Sequence, residues 1–191
     1  MRFINMSVVI FLFRNIMDIL ILMLILRIWI FYTIQNTYNT FATFINMISK
    51  PIVQPIKTFF PNIKNIELSS IIILVVLINI KYPLLMLLNA KNIPFHNFIT
   101  LIFIGLLVLC KALGYLIFWL ITIRSVFSWF NRSSNDFDYI LIVLTDQIIQ
   151  PIQKIISPIG NIDITPFIIS LMLYCMNFVA MDLFPQLWFI I

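Results

Sequence analysis

Arg14, Asp18, Lys81, Lys111, Asn177 and Asp182 stand inside strongly apolar stretches, and their types suit anion binding or ion passage. Ionisable groups deep in hydrocarbon are costly unless paired, reaching to the interface or beside water, which makes them functional candidates by default. Three cations face two carboxylates in this set. The surplus suits an anionic visitor, most simply a lipid headgroup. The structural alternative is that Lys81 and Lys111 snorkel on their long stems and only fix helix depth. Pro83 and Gly114, just after the two lysines, would let helices bend and expose carbonyls, as at ion sites of transporters.

A second constellation is made of Arg27, Glu67, Arg124 and Asp163. A planar guanidinium holds a carboxylate through two hydrogen bonds, so Arg27 with Glu67 and Arg124 with Asp163 are expected to form two matched bridges. Independent solvation by headgroups is the competing reading, because exposed pairs contribute little.

Other chemistries find little support. His96 is the one histidine, beside Pro94, with no second ligand for a zinc or bis-histidine haem site. Hydroxyl nucleophiles lack a histidine base at a suggestive spacing. Cys110 and Cys175 lie far apart in apolar runs and read as buried thiols in lipid-embedded helices. Asp136 and Asp138 read as caps of a helix N-terminus. No catalytic residue, cofactor or metal is expected. The net charge of +5 comes from singly dispersed basic residues without an aromatic RNA-reading motif, so nucleic acid is not an expected partner.

The elements that position these residues follow from composition. At 62% hydrophobic and 10% charged residues, the chain is too apolar for a water-solvated surface. A hydrocarbon core of about 30 Å needs about 20 apolar residues, and windows 8–32, 67–89, 98–129 and 166–190 qualify as four transmembrane helices. Arg14 and Asp18 follow the first apolar stretch where a cleavage site would fall, so the first helix is read as uncleaved. Between the first and second spans, Phe44, Ile48, Ile52, Ile56 and Phe59 recur at helical spacing opposite Asn46, Lys50 and Lys57. Between the third and fourth, Phe137, Leu141, Leu144, Ile148, Ile152 and Ile155 oppose Asp138, Thr145, Asp146, Gln153 and Lys154. Each segment is expected to lie along the membrane surface, bent at Pro51 and Pro55 or at Pro151. Turns at Pro61 and at Pro158 with Gly160 would redirect the chain into the next span.

The pattern occurs twice. Gln54-Pro55-Ile56, Ile63, Asn65, Ile66 and Glu67 return 96 positions later as Gln150-Pro151-Ile152, Ile159, Asn161, Ile162 and Asp163. Arg14 and Arg27 match Lys111 and Arg124 at a register one residue longer. The expected fold is therefore an all-α membrane protein with four transmembrane helices in two tandem parallel repeats, 1–92 and 93–191, each carrying a bent amphipathic surface helix between its spans. Arg27, Glu67, Arg124 and Asp163 then share one membrane boundary. Arg14, Lys81, Lys111 and Asn177 share a layer about 20 Å deeper at 1.5 Å per residue. The surface-helix side carries Arg27, Lys50, Lys57, Lys64, Arg124, Arg132 and Lys154, against Arg2, Arg14, Lys81, Lys91 and Lys111 opposite. The positive-inside rule therefore favours surface helices in the cytoplasm.

Leu26-Arg27-Ile28-Trp29, Gln54-Pro55-Ile56-Lys57, Pro61, Lys111-Ala112-Leu113-Gly114, Leu116-Ile117-Phe118-Trp119, Pro151-Ile152-Gln153-Lys154, Pro158-Ile159-Gly160-Asn161-Ile162-Asp163 and Pro166 carry a resemblance over nearly the whole chain. It resembles the YggT, or YlmG, family of small integral membrane proteins. In the first half Lys64 stands where glycine is usual, Glu67 replaces the commoner aspartate and Ser70 stands in place of proline. The resemblance implies no agreed enzymatic activity. Relatives are linked to cell-division neighbourhoods, chloroplast nucleoid distribution, osmotic or ion homeostasis, and haem attachment to a plastid cytochrome.

The leading expectation is a non-catalytic, multi-pass protein of the bacterial inner membrane. It would organise or scaffold cell division or membrane-protein assembly through its surface helices. Its partners would be the bilayer, anionic lipid headgroups and a membrane or cytoplasmic protein, with homo-oligomers allowed. The alternative is a small ion or solute transport component in osmotic homeostasis, using the deep polar layer.

Overall fold

The computed structural model describes residues 2–34, 39–62, 66–88, 97–130, 136–156 and 163–191, without the side chains of 2–7, 129 and 130. Seven helices occur among them: α1 (Arg2–Thr33), α2 (Thr40–Lys57), α3 (Leu68–Leu88), α4 (Phe98–Phe130), α5 (Asp136–Gln153), α6 (Thr165–Leu183) and α7 (Pro185–Ile190). Segments Val8–Thr33, Leu68–Leu88, Phe98–Ser128 and Thr165–Leu183 are long and apolar enough to cross a bilayer. Three match the hydropathy windows closely. The fourth window, 166–190, does not remain one helix: the chain breaks at Phe184 (φ −131°, ψ 55°), and Pro185 opens α7. Proline has no amide hydrogen to continue a helix but suits a first turn, which accounts for both the break and the restart.

The shorter helices α2 and α5 join the spans. Asn39 caps α2 by accepting the amides of Phe41 and Ala42. Both helices continue through the prolines at which bends were expected, α2 through Pro51 and Pro55 and α5 through Pro151. The turn after α2 falls at Thr58–Phe60, where the Thr58 hydroxyl donates to the Pro55 carbonyl at 2.8 Å, just before Pro61. Pro158 and Gly160 lie outside the described residues.

The expected apolar face of α2 is largely the outward one. Phe44, Ile48 and Phe59 are exposed, while Ala42, Ile45, Ser49 and Val53 are buried against the bundle. In α5, Ile140, Leu141, Leu144, Thr145 and Ile149 point inward, and Ile155, just beyond the helix, is exposed. The two helices meet at their N-terminal ends. Phe41 and Phe137 pack edge to face at 4.9 Å, and Asp136 accepts the Thr40 amide (3.3 Å) and hydroxyl (3.1 Å). Asp136 thus completes the start of α2, although it was expected to cap its own helix; an acidic group at a helix N-terminus also satisfies the dipole there.

Helix α1 packs on α3 and α4, and α4 on α3, α5 and α6, so the spans form a connected layer; α2 lies against α1, α3 and α5. Ile21, Leu24, Ile78, Ile104, Val108, Leu120, Ile140 and Leu144 centre the main core, and Ile121, Ile149 and Ile169 join α4, α5 and α6 in a smaller one. Cys110 and Cys175 are exposed rather than buried, as is natural for apolar thiols on a face that meets lipid.

Gly105 brings α4 close to α3. A Cβ there would stand 2.7 Å from Asn79 Oδ1, on a side chain that donates to the Val75 carbonyl at 2.8 Å. Small residues allow such close approach between membrane helices. Gly105→Ala is expected to displace Asn79 and lower stability by about 1–3 kcal/mol, with recovery in Gly105→Ala/Asn79→Ala. Unfolding in mixed detergent micelles checks both.

Candidate functional site

The constellation around Arg27 and Arg124 is built where α1 and α4 end beside α2 and α5. Arg27, two residues before Trp29 near the end of α1, directs its fork at Glu67, which immediately precedes α3: Nε donates to Oε2 and Nη2 to Oε1, each at 2.7 Å. Nη1 donates to the Ser49 hydroxyl of α2 and to the Asn46 carbonyl at 3.3 Å. Ser70 donates to Glu67 Oε2 at 2.7 Å, and Lys57 Nζ lies 3.9 Å from Oε1. Arg27 is 7% exposed and Glu67 2%, so this is a buried ion pair with its remaining polar capacity occupied. Burial pushes the Glu67 carboxyl up, but the bonds from Arg27 and Ser70 and the charges of Arg27 and Lys57 outweigh it and hold the group below its ordinary value of 4.5.

The second half differs. Arg124 Nη1 donates at 2.5 Å both to the Thr145 hydroxyl and to Asp146 Oδ1, not to Asp163. Asp163 accepts from Gln153 Nε2 at 2.8 Å and the Thr165 amide at 3.0 Å. Burial works against ionisation of Asp163, but the Thr165 and Gln153 bonds and the positive field of Arg124 lower its pKa. Two local differences explain the changed partner. Position 146 holds a carboxylate where α2 has Lys50 at the corresponding place, and Asp163 is one methylene shorter than Glu67. The Arg124–Asp146 pair is also wetter, with side chains 25% and 31% exposed. Asp146→Asn is therefore expected to cost no more than about 1 kcal/mol, to be checked by the same unfolding measurement.

Ser49 and Thr145 were missed as site residues. Each sits on the buried side of its helix, Ser49 on α2 and Thr145 on α5, accepts from an arginine and donates to a carbonyl one turn back, Ile45 at 2.6 Å and Leu141 at 2.5 Å. The available signal was their spacing of 96 positions, the same as that of the Gln-Pro-Ile motifs. Trp29 Nε1 donates to Gln147 Oε1 at 3.2 Å and ties α1 to α5 as well.

The deep residues are organised by α7. The last carbonyls of a helix lack intrahelical donors and attract cations. Here Lys111 Nζ donates to the Trp188 carbonyl (2.7 Å), Arg14 Nη1 to that of Phe189 (2.7 Å) and Lys81 Nζ to that of Ile191 (2.8 Å). Lys81, 1% exposed, also bonds Asp18 at 2.6 Å. Asp18 thus pairs across to α3 rather than with Arg14 one turn away. Asn177 Oδ1 accepts from the Trp188 indole at 2.9 Å, locking α7 against α6. Asp182 is exposed and belongs to none of the described ion pairs.

Two cavities flank these sites. One of about 420 Å³ opens beside Trp29, Ile66, Glu67 and Leu113. Another of about 350 Å³ lies between α4, α6 and α7, bordered by Lys111, Gly114, Phe118, Leu173, Asn177 and Trp188. Among the described residues no cluster of His, Cys, Asp and Glu has the makings of a metal site.

Four apolar spans, exposed hydrophobic side chains around them and ionic groups turned inward define a multi-pass α-helical membrane protein. The chain belongs to the CCB3/YggT family, whose family model matches residues 6–88 and 103–184. It is 32% identical over 179 residues to an uncharacterized protein in the proC 3' region of Vibrio alginolyticus, covering 94% of this chain and 96% of the relative. It is 29% identical over 191 residues to the uncharacterized protein YggT of Escherichia coli K12, covering 96% and 98%. An uncharacterized protein of Haemophilus influenzae is 27% identical over 176 residues, covering 92% and 93%. No solved structure matches the chain.

Proposed function

We propose that this protein is a non-catalytic scaffold of the bacterial inner membrane, and that α2 and α5 together form a platform on which a membrane-associated protein docks. The observation that carries the reading is how the polar groups are spent. Arg27 through Ser49 and Arg124 through Thr145 pin the two helices to the spans, and Asp136 joins their ends. Groups committed in this way hold helices in place, whereas a catalytic set keeps a nucleophile or base directed at open space.

The platform reading treats 1–92 and 93–191 as tandem copies in the same orientation, each with an amphipathic surface helix. Support comes from positions 96 apart: Ser49 and Thr145 each accept from an arginine and donate one turn back, while Phe41 packs on Phe137 and Thr40 bonds Asp136 across the two copies. The two separate segments matched by the family model agree with it. The outward row of Lys50, Lys57 and Lys154 supplies a basic rim on this face.

Photo-reactive residues at positions 57 and 154 test docking in intact cells. The same protein partner should be captured from both positions, and capture should fall when Arg27 or Arg124 is replaced. Crosslinks to lipid alone contradict docking. The transport reading draws on the deep layer of Arg14, Asp18, Lys81 and Lys111 instead; ion flux in liposomes that disappears in Lys111→Ala would displace the scaffold reading.

A further inference from the structure

A lysine ammonium has three donors and a full charge to neutralise. Lys111 spends one donor on the Trp188 carbonyl and rests over the Trp188 ring at 5.2 Å, with no carboxylate partner among the described residues. Among the described residues, the Asp18 carboxylate is engaged by Lys81, which also donates to the Ile191 main-chain oxygen, while Arg14 is held by the Phe189 carbonyl. Positive charge is thus in excess where α7 meets α4, and main-chain dipoles offset it only in part. Lys111 borders the cavity of about 350 Å³, whose walls include the apolar or aromatic Phe118, Leu173 and Tyr174 beside the amide of Asn177, itself bonded to the Trp188 indole.

Gly114, one turn beyond Lys111, borders open space: a Cβ built there would meet nothing within 4 Å. Lys111 lies about 20 Å from the Arg124 level at 1.5 Å per residue. About 10 Å of a hydrocarbon core about 30 Å thick remains beyond it. A cation at that depth, on a stem that reaches toward the nearer surface, faces the leaflet opposite α2 and α5.

We propose that this groove is a binding site for one anionic phospholipid of that leaflet, its phosphate on Lys111 and an acyl chain along Phe118, Leu173 and Gly114. The charge selects the headgroup and the apolar walls accept the chain, a combination that neither a zwitterionic lipid nor a free ion fits as well. The site stands on a different face from the α2–α5 platform, so the two readings fail independently.

The test uses full-length protein in which Trp188 is the sole tryptophan, with Trp29, Trp119 and Trp129 changed to Phe, in phosphatidylcholine nanodiscs. Trp188 quenching by brominated phosphatidylglycerol is compared with quenching by brominated phosphatidylcholine. Half-maximal quenching by the anionic lipid is expected at about one fifth of the mole fraction, the factor supplied by one lysine near an anionic headgroup. Lys111→Gln should abolish the difference and Lys111→Arg retain it. Gly114→Phe, which fills the groove without changing charge, should reduce quenching by both lipids. Equal quenching by the two lipids with the groove itself unsubstituted overturns the proposal. So do a preference that survives Lys111→Gln, quenching unaffected by Gly114→Phe, or a preference removed by inorganic phosphate, which would identify a free-anion site.

Discussion

Arg27→Leu is expected to lower stability by about 3–5 kcal/mol, the range for removing one partner of a buried ion pair. The loss has two sources. Glu67 keeps its burial without its fork, and Ser49 loses the donor that attaches α2 to α1. The double variant Arg27→Met/Glu67→Leu should recover much of the loss, because two apolar side chains leave no stranded charge. Unfolding curves in mixed micelles measure both, and a double variant no more stable than Arg27→Leu would contradict the explanation.

Acid should act on the same pair. The Glu67 carboxyl is held below its ordinary value of 4.5, so the unfolded chain takes up a proton more readily than the folded one. The stabilisation is complete above that ordinary value and is lost as pH falls through the lower, folded value. Asp163 adds a contribution of the same sign. Melting measured downward from neutral pH should fall only in the acid range, and Glu67→Gln should flatten that dependence.

Lys81→Met has the second largest expected effect, about 2–3 kcal/mol, below the range for a wholly buried pair because the Asp18 side chain is 39% exposed. The substitution strands Asp18 and releases the Ile191 carbonyl, so α7 loses one of its three cationic holds. Trp188, 8% exposed, should then shift its emission to the red and its neighbours should exchange amide hydrogens faster. Asp18→Asn in the Lys81→Met background should restore stability without restoring the α7 anchor. That separation distinguishes the carboxylate's cost from the helix's loss.

The spans were legible because hydropathy averaged over a window survives small errors of boundary. The same averaging concealed α7. Leu187, Trp188, Phe189 and Ile190 are as apolar as a span, and only Pro185 marks the place where the chain turns back. Depth counting brought Arg27 to the level of Glu67, where the structure joins them. It supplied height but no direction around the helix, and so could not distinguish Asp163 from Asp146 as the partner of Arg124. Which apolar side chains are buried was hidden for a membrane-specific reason. Lipid tails are as apolar as leucine, so the outward Phe44 and Ile48 and the inward Ile45 and Val53 obey the same composition.

The two halves meet side by side, with α2 and α5 joined at their starts. In a Cys110→Ala/Cys175→Ala background, cysteines placed at Phe41 and Phe137 and treated in native membranes with a short bismaleimide test this arrangement directly. Rapid crosslinking within one chain is expected, because the two ring centroids lie 4.9 Å apart, and none when the second cysteine is moved to Ile155. Absence of the 41–137 crosslink, or its formation only between separate chains, would contradict it.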